Sequence, residues 1–372
     1  MWFHAPSVGE GLQARAVLQR LKARHSDWQF AYTHFSPSAE AFAEGLTVDV
    51  ADYLPYDTRA ACRRVLDALA PTTLVFSKLD VWPELASTAA GRGVAVGLVA
   101  GTVSPVSSRT GWPWRELTRP GYEAITRAGA VAQEDAERLT GLGVSAERVR
   151  VTGDPRYDSV LDVIGGVAAD DPLLALGQGE PVLIAGSTWR ADERIILKAF
   201  AAVRRVDPRA RLVLAPHEPT PTQLASVEDL ARRLHLPQPI RFSTGEPAGA
   251  FLLVDQVGVL ARLYGAGGMA YIGGGFGRAG LHSVLEPAAW GIPVIHGPRW
   301  QSSRDAGILD QAGGGFPLPR EGAADQLATL WLEWLTNDSL RRDAGERARE
   351  VVEAGRGAAE RNAVLVEELV NH

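Results

Sequence analysis

Short apolar runs alternate along the chain with longer amphipathic stretches. Helical patterns such as Gly11–His25 and Thr58–Leu69 separate the runs. In the first half the predicted strands are Trp2–Ala5, Gln29–Thr33, Thr73–Phe76, Val94–Ala100, Gly129–Gln133 and Val149–Thr152. Short β-rich segments that alternate with helices are typical of parallel βαβ units.

The pattern pauses over Leu161–Glu180, where Gly, Asp and Pro collect, and then starts again. The later predicted strands are Pro181–Ala185, Arg211–Ala215, Gly249–Leu253, Met269–Ile272 and Pro293–His296. We therefore predict an α/β fold of two Rossmann-like domains whose parallel sheets face a central cleft. Ligands in such sheets bind at the carboxyl ends of the strands, so the arrangement suits joining a donor to an acceptor.

This pattern sets the expected domain limits. We predict an N-terminal domain over residues 1–163, a linker over 164–180 and a C-terminal domain over 181–350. The stretch Asp338–Val370 has a helical pattern of mixed charge. For its last part, residues 351–372, packing back on the N-terminal domain is one interpretation.

Composition narrows the function classes. The 372 residues include 46% apolar and 22% charged residues, as in a soluble globular protein, and the net charge of −6 lacks the basic footprint of a nucleic-acid binder. One cysteine, Cys62, allows neither an intrachain disulfide nor a thiolate zinc cluster. No apolar run is long enough to span a membrane, and no signal peptide is evident. We expect a cytoplasmic protein without cofactor or catalytic metal, unless an upstream anchor precedes it.

The loop His4–Gly11 is the first candidate site. It lies between the first predicted strand and the first predicted helix, and Gly9 allows the backbone to approach a ligand. Glu10, near the helix start, is placed to take a proton from an attacking hydroxyl. The alternative is an acid that only complements the helix dipole.

Two further segments of the first half carry candidate residues. Lys78 and Asp80 are two apart, so in an extended chain they share a face, where they bind an anionic sugar or pair with each other. The stretch Trp112–Arg115, with Arg109 nearby, is aromatic and basic. It suits contact with an anionic membrane surface or, alternatively, a packed loop with its tryptophans in the core.

In the second half, Gly186–Thr188 follows a predicted strand and precedes a helix. Free backbone N–H groups there favour an anion site, with an ordinary N-cap as the alternative. His217 follows the next predicted strand and is a second candidate ligand residue.

The strongest candidate is the glycine-rich segment Ile272–Ala289, which follows a strand and enters a predicted helix. It lacks the Gly-Lys-Ser/Thr ending of a P-loop and the first-strand position of a dinucleotide fingerprint. His282 and Glu286 are four apart, which predicts one helical face, with His282 on a phosphate and Glu286 on ribose hydroxyls. The alternative is a glycine loop that only closes a tight turn.

The ordered set of these segments resembles the 3-deoxy-D-manno-octulosonic acid (Kdo) transferases of lipopolysaccharide assembly. The resemblance runs from about Trp2 to Pro317. Its landmarks are His4–Glu10, Tyr53–Asp57, Lys78–Pro83, Gln133–Arg138, Thr152–Asp154, Gly186–Thr188, Pro216–His217 and His282–Pro298.

The resemblance implies a GT-B glycosyltransferase that moves Kdo from a CMP-sugar to a lipid A-like or other glycolipid acceptor, with inversion and without metal. Glu10 is then the catalytic base. The donor-binding residues in the C-terminal domain are Gly186, Ser187, Thr188, His217, Gly274, Gly275, Gly277, His282, Ser283 and Glu286. The acceptor-binding residues in the N-terminal domain are Ser7, Gly9, Lys78, Asp80 and Arg109.

The chain departs from the family pattern mainly on the acceptor side. Lys78 and Asp80 stand where members carry a Glu-x-Glu pair, and Ala100–Thr102 replaces an Asn-Ala-Arg segment. Pro216–Pro219 also differs from the usual Pro-Arg-His-Pro. A GT-B transferase for a UDP- or GDP-sugar, a nucleotide-sugar epimerase and a non-catalytic binding protein remain alternatives. Peripheral contact with the cytoplasmic face of the inner membrane also stays open.

Overall fold

A computed structural model of the chain describes residues 1–105, 107–177, 181–244 and 249–370. The chain divides into two compact units, one formed by Met1–Ser159 with Gly355–His372 and the other by Val160–Ala354. The boundary between the units after Ser159 precedes the linker that we expected over residues 164–180. Of that linker, residues 178–180 lie outside the described residues.

The first unit is built on a seven-stranded sheet in which every pairing is parallel. Its strands are β1 (Trp2–His4), β2 (Ala31–His34), β3 (Val50–Tyr53), β4 (Thr73–Ser77), β5 (Ala95–Gly101), β6 (Arg127–Ala130) and β7 (Val149–Val151). Their order across the sheet is β3-β2-β1-β4-β5-β6-β7.

Helices cover this sheet. They are α1 (Val8–Arg24), α2 (Glu40–Glu44), α3 (Arg59–Leu69), α4 (Pro83–Ala90), α5 (Trp114–Glu123), α6 (Gln133–Leu142) and α7 (Arg156–Gly165), which continues into the second unit. Thr58 caps α3, because its hydroxyl accepts a hydrogen bond from the Ala61 amide.

The second unit repeats the architecture with a second all-parallel seven-stranded sheet, in the order β10-β11-β9-β8-β12-β13-β14. Its strands are β8 (Val182–Thr188), β9 (Arg211–Pro216), β10 (Ile240–Arg241), β11 (Phe251–Leu253), β12 (Met269–Ile272), β13 (Val294–His296) and β14 (Gly315–Pro317). Its helices are α8 (Arg190–Val206), α9 (Pro221–Arg233), α10 (Leu260–Leu263), α11 (Leu285–Ala289), α12 (Arg304–Ala312), α13 (Ala323–Thr336) and α14 (Asp338–Ala354).

Helical periodicity explains how α8 attaches to this sheet. Ile196, Phe200 and Val203 recur at helical spacing and are buried. The Phe200 ring stacks on Trp331 of α13 with 5.4 Å between ring centroids. Burial of each large side chain of this kind stabilises the fold by about 1.5–3 kcal/mol.

The final helix, α15 (Ala358–Val370), packs on the sheet of the first unit. A Cβ at Gly97 would lie only 2.5 Å from Leu369, so glycine permits the close approach of α15 to β5. The buried Asn362 accepts hydrogen bonds from the Ala100 amide at 3.3 Å and from the Thr152 hydroxyl at 3.0 Å. These bonds fix α15 beside the carboxyl ends of β5 and β7.

In each sheet the strand order reverses at one place. In the first unit β2 and β4 lie on opposite sides of β1, and in the second β9 and β12 lie on opposite sides of β8. The connections therefore leave neighbouring strands in opposite directions and open a crevice at their carboxyl ends. The β1/β4 and β8/β12 crevices are the two places where this fold favours ligand binding.

The structure confirms the α/β class and the parallel sheets, with several local corrections. The strand predicted over Gly129–Gln133 exists but is displaced, because β6 spans Arg127–Ala130 and Gln133 begins α6. The helical prediction for Asp338–Val370 is confirmed as two helices, α14 and α15. Residues 371–372 lie outside the described residues. None of the described helices is both long and apolar enough to cross a membrane.

Protonation of His4 should weaken the first unit in acid. Burial lowers the pKa of His4 from 6.5 to about 3. The unfolded chain therefore takes up this proton first, and the associated stability, complete above pH 6.5, is lost progressively between about pH 6.5 and 3. At pH 5 the loss amounts to about 2 kcal/mol.

His4→Gln should remove that part of the pH dependence. Urea denaturation at pH 7.5 and pH 5, followed through hydrogen exchange of the β1 amides, measures it. Equal pH dependence in wild type and His4→Gln would contradict this assignment.

Candidate active site

Glu10 lies in the crevice of the first unit. It is the third residue of α1, and its carboxylate accepts hydrogen bonds from the Ser7 hydroxyl and, at 3.0 Å, from the Lys78 ammonium. The Ser77 hydroxyl, at the end of β4, donates to the Glu10 carbonyl at 2.9 Å. The structure thus brings together Ser7, Glu10 and Lys78, which are predicted site residues from two loops.

The backbone at Lys78 explains this meeting. Its φ of +66° lies in the left-handed region, and its amide donates to the Val99 carbonyl at 2.9 Å. Lysine rarely adopts such a conformation, so the surrounding structure must hold it there. The predicted extended segment with Lys78 and Asp80 on one face is therefore wrong. Lys78 pairs with Glu10, whereas Asp80 pairs with Arg109.

The carboxylate of Glu10 is mostly enclosed, and its cationic partner is not. The Glu10 side chain is 12% exposed, while that of Lys78 is 45% exposed. The negative charge of Glu10 also acts on Tyr32 of β2. Burial, together with this charge, raises the pKa of the Tyr32 hydroxyl. A Cβ at Gly11 would lie 2.8 Å from the Tyr32 hydroxyl, so glycine lets α1 start this close to the sheet.

Several other motif residues support the loops rather than line the crevice. The Asp57 carboxylate accepts the amides of Glu84 and Leu85 at 3.0 and 2.9 Å and so caps α4. The buried Asp135 accepts the amide of Val103 at 2.9 Å. These carboxylates satisfy backbone N–H groups that the helix start and the loop leave open.

Asp154 has the same kind of role. It accepts a hydrogen bond from Gln13 of α1 at 3.2 Å and pairs with Arg156 at 2.6 Å. The neighbouring Arg156 charge and these hydrogen bonds outweigh burial and lower the pKa of the carboxyl. Asp154 thereby ties α1, which carries Glu10, to the start of α7.

The aromatic and basic stretch of the first unit points outward. Trp112 is 86% exposed, Trp114 55% and Leu117 61%. The interpretation with these tryptophans in the core is therefore wrong. Tyr122, later in α5, is buried, and its hydroxyl donates to the Leu79 carbonyl at 2.9 Å. Exposed side chains of this size are characteristic of interaction surfaces.

The crevice of the second unit is built from closely packed backbone. A Cβ at Gly273 would lie 2.1 Å from the Ser187 carbonyl oxygen, and one at Gly275 would lie 2.7 Å from Gly297. Gly274 has φ +98°, and a Cβ there would lie 2.0 Å from the Gly280 carbonyl oxygen. Only glycine fits where segments approach this closely.

A buried aspartate, which sequence reasoning missed, organises this crevice. One oxygen of Asp192 accepts the Trp189 amide at 2.9 Å and the Gly274 amide at 3.0 Å, and the other accepts the Tyr271 hydroxyl at 2.9 Å. Burial raises the pKa of the Asp192 carboxyl. The Gly274 amide is thus engaged by protein, so Gly274 contributes space to the crevice rather than an N–H donor.

Thr188 is likewise engaged by the protein. Its hydroxyl donates to Glu193 at 3.4 Å, and the same carboxylate accepts a hydrogen bond from the side-chain amide of Gln223 at 2.6 Å. Burial raises the pKa of the Glu193 carboxyl. The preceding residue, Ser187, has φ +51°, so the end of β8 carries a left-handed residue as the end of β4 does.

The rings of His217, His282 and Trp189 form a cluster beside the glycine loop. The His217 and His282 rings are 4.3 Å apart, and the Trp189 ring is 4.8 Å from that of His217. The Trp189 indole N–H donates to His282 Nε2 at 3.1 Å. Burial, with a smaller effect from His217, lowers the pKa of His282 to about 4.

Glu286 is not on a common helical face with His282, contrary to expectation. His282 and the exposed Ser283 lie in the loop, and α11 begins only at Leu285. Burial raises the pKa of the Glu286 carboxyl, for which no hydrogen-bond partner is found among the described residues. A Cβ at Gly277 would make only ordinary contacts, with the Ala279 nitrogen at 3.9 Å and the Gly274 carbonyl oxygen at 4.0 Å. No described cluster of three His, Cys, Asp or Glu residues suits a metal ion.

Comparison with known proteins decides the family. The model of the 3-deoxy-D-manno-octulosonic-acid transferase (kdotransferase) family matches residues 1–159. The 3-deoxy-D-manno-octulosonic acid transferase of Bordetella pertussis is 30% identical over 388 residues, which covers 99% of this chain and 87% of that protein. This chain belongs to the Kdo transferase family. Its members are glycosyltransferases, and so is this protein.

A second relative supports the family, and solved structures support the fold. The Kdo transferase of Aquifex aeolicus is 28% identical over 324 residues, or 86% of this chain and 82% of that protein. UDP-GlcNAc 2-epimerase from Neisseria meningitidis, at 13% identity, superposes with a TM-score of 0.68 over 100% of this chain and 99% of that one. A glycosyltransferase from Rickettsia africae gives 0.64 at 11% identity over 100% and 98%. Such structural likeness supports the GT-B-like fold of this Kdo transferase.

A pair of glycine variants tests the crevice of this transferase. Gly274→Ala should lower the free energy of unfolding by about 2 kcal/mol or more, because alanine meets both a left-handed backbone and a close carbonyl. Gly277→Ala is the matched control, and a change in the free energy of unfolding within about 0.5 kcal/mol is expected because its Cβ would meet no atom closer than 3.9 Å. Denaturant titration measures both, and equal effects would contradict the packing described.

Proposed function

We propose that this enzyme transfers Kdo from CMP-Kdo to a lipid A-like glycolipid in lipopolysaccharide assembly, with inversion and without a metal ion. The acceptor binds the first unit and the donor the second. The observation that carries the proposal is the Glu10 carboxylate, oriented by Ser7 and Lys78 at the carboxyl end of β1. A carboxylate fixed in this way is suited to general-base work.

In the proposed reaction the Glu10 carboxylate removes the proton of the acceptor hydroxyl. The hydroxyl oxygen forms a bond to the anomeric carbon while the bond from that carbon to the phosphate oxygen of CMP breaks. One displacement of this kind inverts the anomeric centre. The electron pair leaves with CMP, and the proton stays on Glu10 until solvent removes it.

The half-exposed Lys78 has a second role in this proposal. Its ammonium holds Glu10 and also offers positive charge to an acidic sugar or a phosphate of the acceptor. Asp80 and Arg109, paired with each other, extend the acceptor surface from a neighbouring loop. Ser7 orients the base, and the exposed Gly9 leaves room above it.

In the second unit we propose that His217, His282 and the glycine loop bind the phosphate of CMP. N–H donors held in fixed positions stabilise the charge that develops on the departing phosphate. Glu286 accepts hydrogen bonds from the ribose hydroxyls. Gly186, Ser187, Thr188, Gly274, Gly275, Gly277 and Ser283 complete the proposed donor site by shaping the backbone around it.

A second candidate function uses a UDP-sugar in place of CMP-Kdo. The fold neighbours include an epimerase whose structure contains UDP-GlcNAc, so the architecture alone does not choose the nucleotide. A UDP-sugar transferase or an epimerase would use the same crevice. An epimerase would convert its nucleotide sugar without acceptor, which separates it from a transferase by product analysis.

We also propose a peripheral membrane contact through the exposed patch of Trp112, Trp114 and Leu117. A glycolipid acceptor is itself embedded in a bilayer. Tryptophan side chains favour the interface between lipid and water, where an apolar body and a polar N–H are both satisfied. The patch belongs to the unit that carries Glu10.

Removal of the base gives the sharpest kinetic prediction. Glu10→Gln keeps the shape but cannot take a proton, so the rate of transfer should fall by about 10²- to 10⁴-fold. The affinity for CMP should stay within about twofold, because the donor unit is untouched. Glu44→Gln, an exposed acid of the same unit, is the control and should retain full activity. Unchanged turnover in Glu10→Gln would remove the proposed mechanism.

Calorimetry with CMP, UDP and GDP tests the donor assignment. CMP should bind best, and Glu286→Gln should weaken it by about tenfold, or about 1.4 kcal/mol, because the ribose loses an acceptor carboxylate. Glu321→Gln, an exposed acid of the same unit, should bind as the wild type does. Binding of UDP or GDP in place of CMP would keep the fold and overturn the Kdo donor.

Flotation with liposomes tests the membrane contact. The wild type should float with vesicles that contain anionic lipid, and replacing Trp112 and Trp114 by Ser should reduce the bound fraction several-fold, because the patch loses its interfacial side chains. Val257→Ser, an exposed apolar residue of the second unit, is the control. Wild-type protein that stays at the bottom of the gradient would rule out this contact.

A further inference from the structure

The hydrogen bond between Trp189 and His282 fixes where a proton resides. An indole nitrogen donates and cannot accept. Since Trp189 Nε1 lies 3.1 Å from His282 Nε2, that histidine nitrogen must accept through its lone pair. In a neutral imidazole the proton then lies on Nδ1.

The surroundings oppose a second proton on His282. Protonation of Nε2 would place two N–H donors face to face. The His217 ring, 4.3 Å away in the loop after β9, would add repulsion whenever it is charged. Burial also lowers the pKa of His282 to about 4. The ring is therefore neutral at physiological pH.

Trp189 is itself held in place. Its amide and that of Gly274 share one carboxylate oxygen of Asp192. The Trp189 ring is nearly parallel to that of His282, at 13°. His282 is further anchored through its amide, which donates to the Gly273 carbonyl at 3.2 Å. The relative position of the two rings is thus set from both sides.

His282 Nδ1 has no hydrogen-bond partner among the described residues, so its N–H is available to a ligand. We propose that Trp189 is a positioning residue that holds His282 as the neutral tautomer with its proton on Nδ1, which then donates to the phosphate of the bound nucleotide. This inference rests on the proposed donor site of the second unit. In such a site the phosphate accepts a hydrogen bond from a neutral imidazole N–H and not from a charged imidazolium.

The protonation of His282 should depend on the indole N–H of Trp189. Among the titratable groups, His217 after β9 faces His282 at 4.3 Å between ring centroids, and Asp192 on α8 binds the Trp189 amide. Arg278 and Glu286 lie four residues before and after His282 in the chain. Loss of the indole N–H frees Nε2 for protonation. In Trp189→Phe the pKa of His282 should rise above its wild-type value of about 4, while burial and His217 still hold it below 6.5. The ring should then charge in part at pH 5.5 and bind phosphate more strongly there than at pH 8.

Nitrogen-15 NMR of the full chain with labelled histidine reads the tautomer directly, and His282→Gln assigns the signals. The wild type should show a protonated Nδ1 and an unprotonated Nε2, unchanged between pH 5.5 and 8. Trp189→Phe should lose this pattern. Trp290→Phe, which removes an indole that donates to the Ala261 carbonyl at 2.7 Å, should keep it.

Binding of CMP at pH 5.5 and pH 8 gives the second readout. The phosphate of CMP titrates in this range, so Trp189→Phe is compared with wild type and with Trp290→Phe under identical conditions. The ratio of the affinity at pH 5.5 to that at pH 8 should be about twofold larger or more in Trp189→Phe, because the part of the His282 population that charges at pH 5.5 donates a charge-assisted hydrogen bond.

The outcomes separate this inference from the proposed function. A wild-type His282 with its proton on Nε2 would overturn the inference, while CMP binding and the proposed function would stand. Absence of CMP binding to the wild type would overturn the proposed donor site and the phosphate contact with it, whatever the tautomer. An equal affinity ratio in all three proteins would show that Trp189 has only a structural role.

Discussion

Each sheet contains one pair of neighbouring parallel strands from which the chain leaves in opposite directions, and the candidate chemistry depends on that constraint. The connections after β1 and β4 bring Glu10 to Lys78, and those after β8 and β12 bring the glycine loop to Gly186–Thr188. The chain must turn sharply at both places, which explains the left-handed Lys78 and Ser187. Local strain of this kind is common where a fold presents a site.

Carboxylates hold the loops and helix starts around these crevices. The half-buried Asp57 and the buried Asp135 and Asp192 each accept backbone N–H groups that regular structure leaves without partners. A buried unpaired amide costs about 1–3 kcal/mol, so each carboxylate contributes to a defined loop geometry. Asp192 is the most consequential, because it joins the start of α8 to the glycine loop and thereby fixes Trp189 beside His282.

Periodicity was sufficient to predict most strands and the fold class, because both sheets are parallel and their inner strands are buried. It missed β3, whose residues Val50–Tyr53 are all exposed and give no alternation, and the short strands β10 and β14. Residue spacing misplaced Lys78 relative to Asp80, because it assumed an extended chain where the backbone turns. It likewise misplaced His282 relative to Glu286, because it assumed a helix where His282 lies in a loop. Trp189 and Asp192 were missed because their roles depend on contacts with a loop more than 80 residues away.

An assay of transfer shows whether the two crevices serve one glycosyl transfer, as we propose. The full chain is incubated with CMP-Kdo and a lipid A precursor in mixed micelles, and acceptor mass and released CMP are followed together. We expect the acceptor to gain Kdo in step with CMP release. An acceptor whose mass stays unchanged, whether or not CMP is released, would contradict a Kdo transfer.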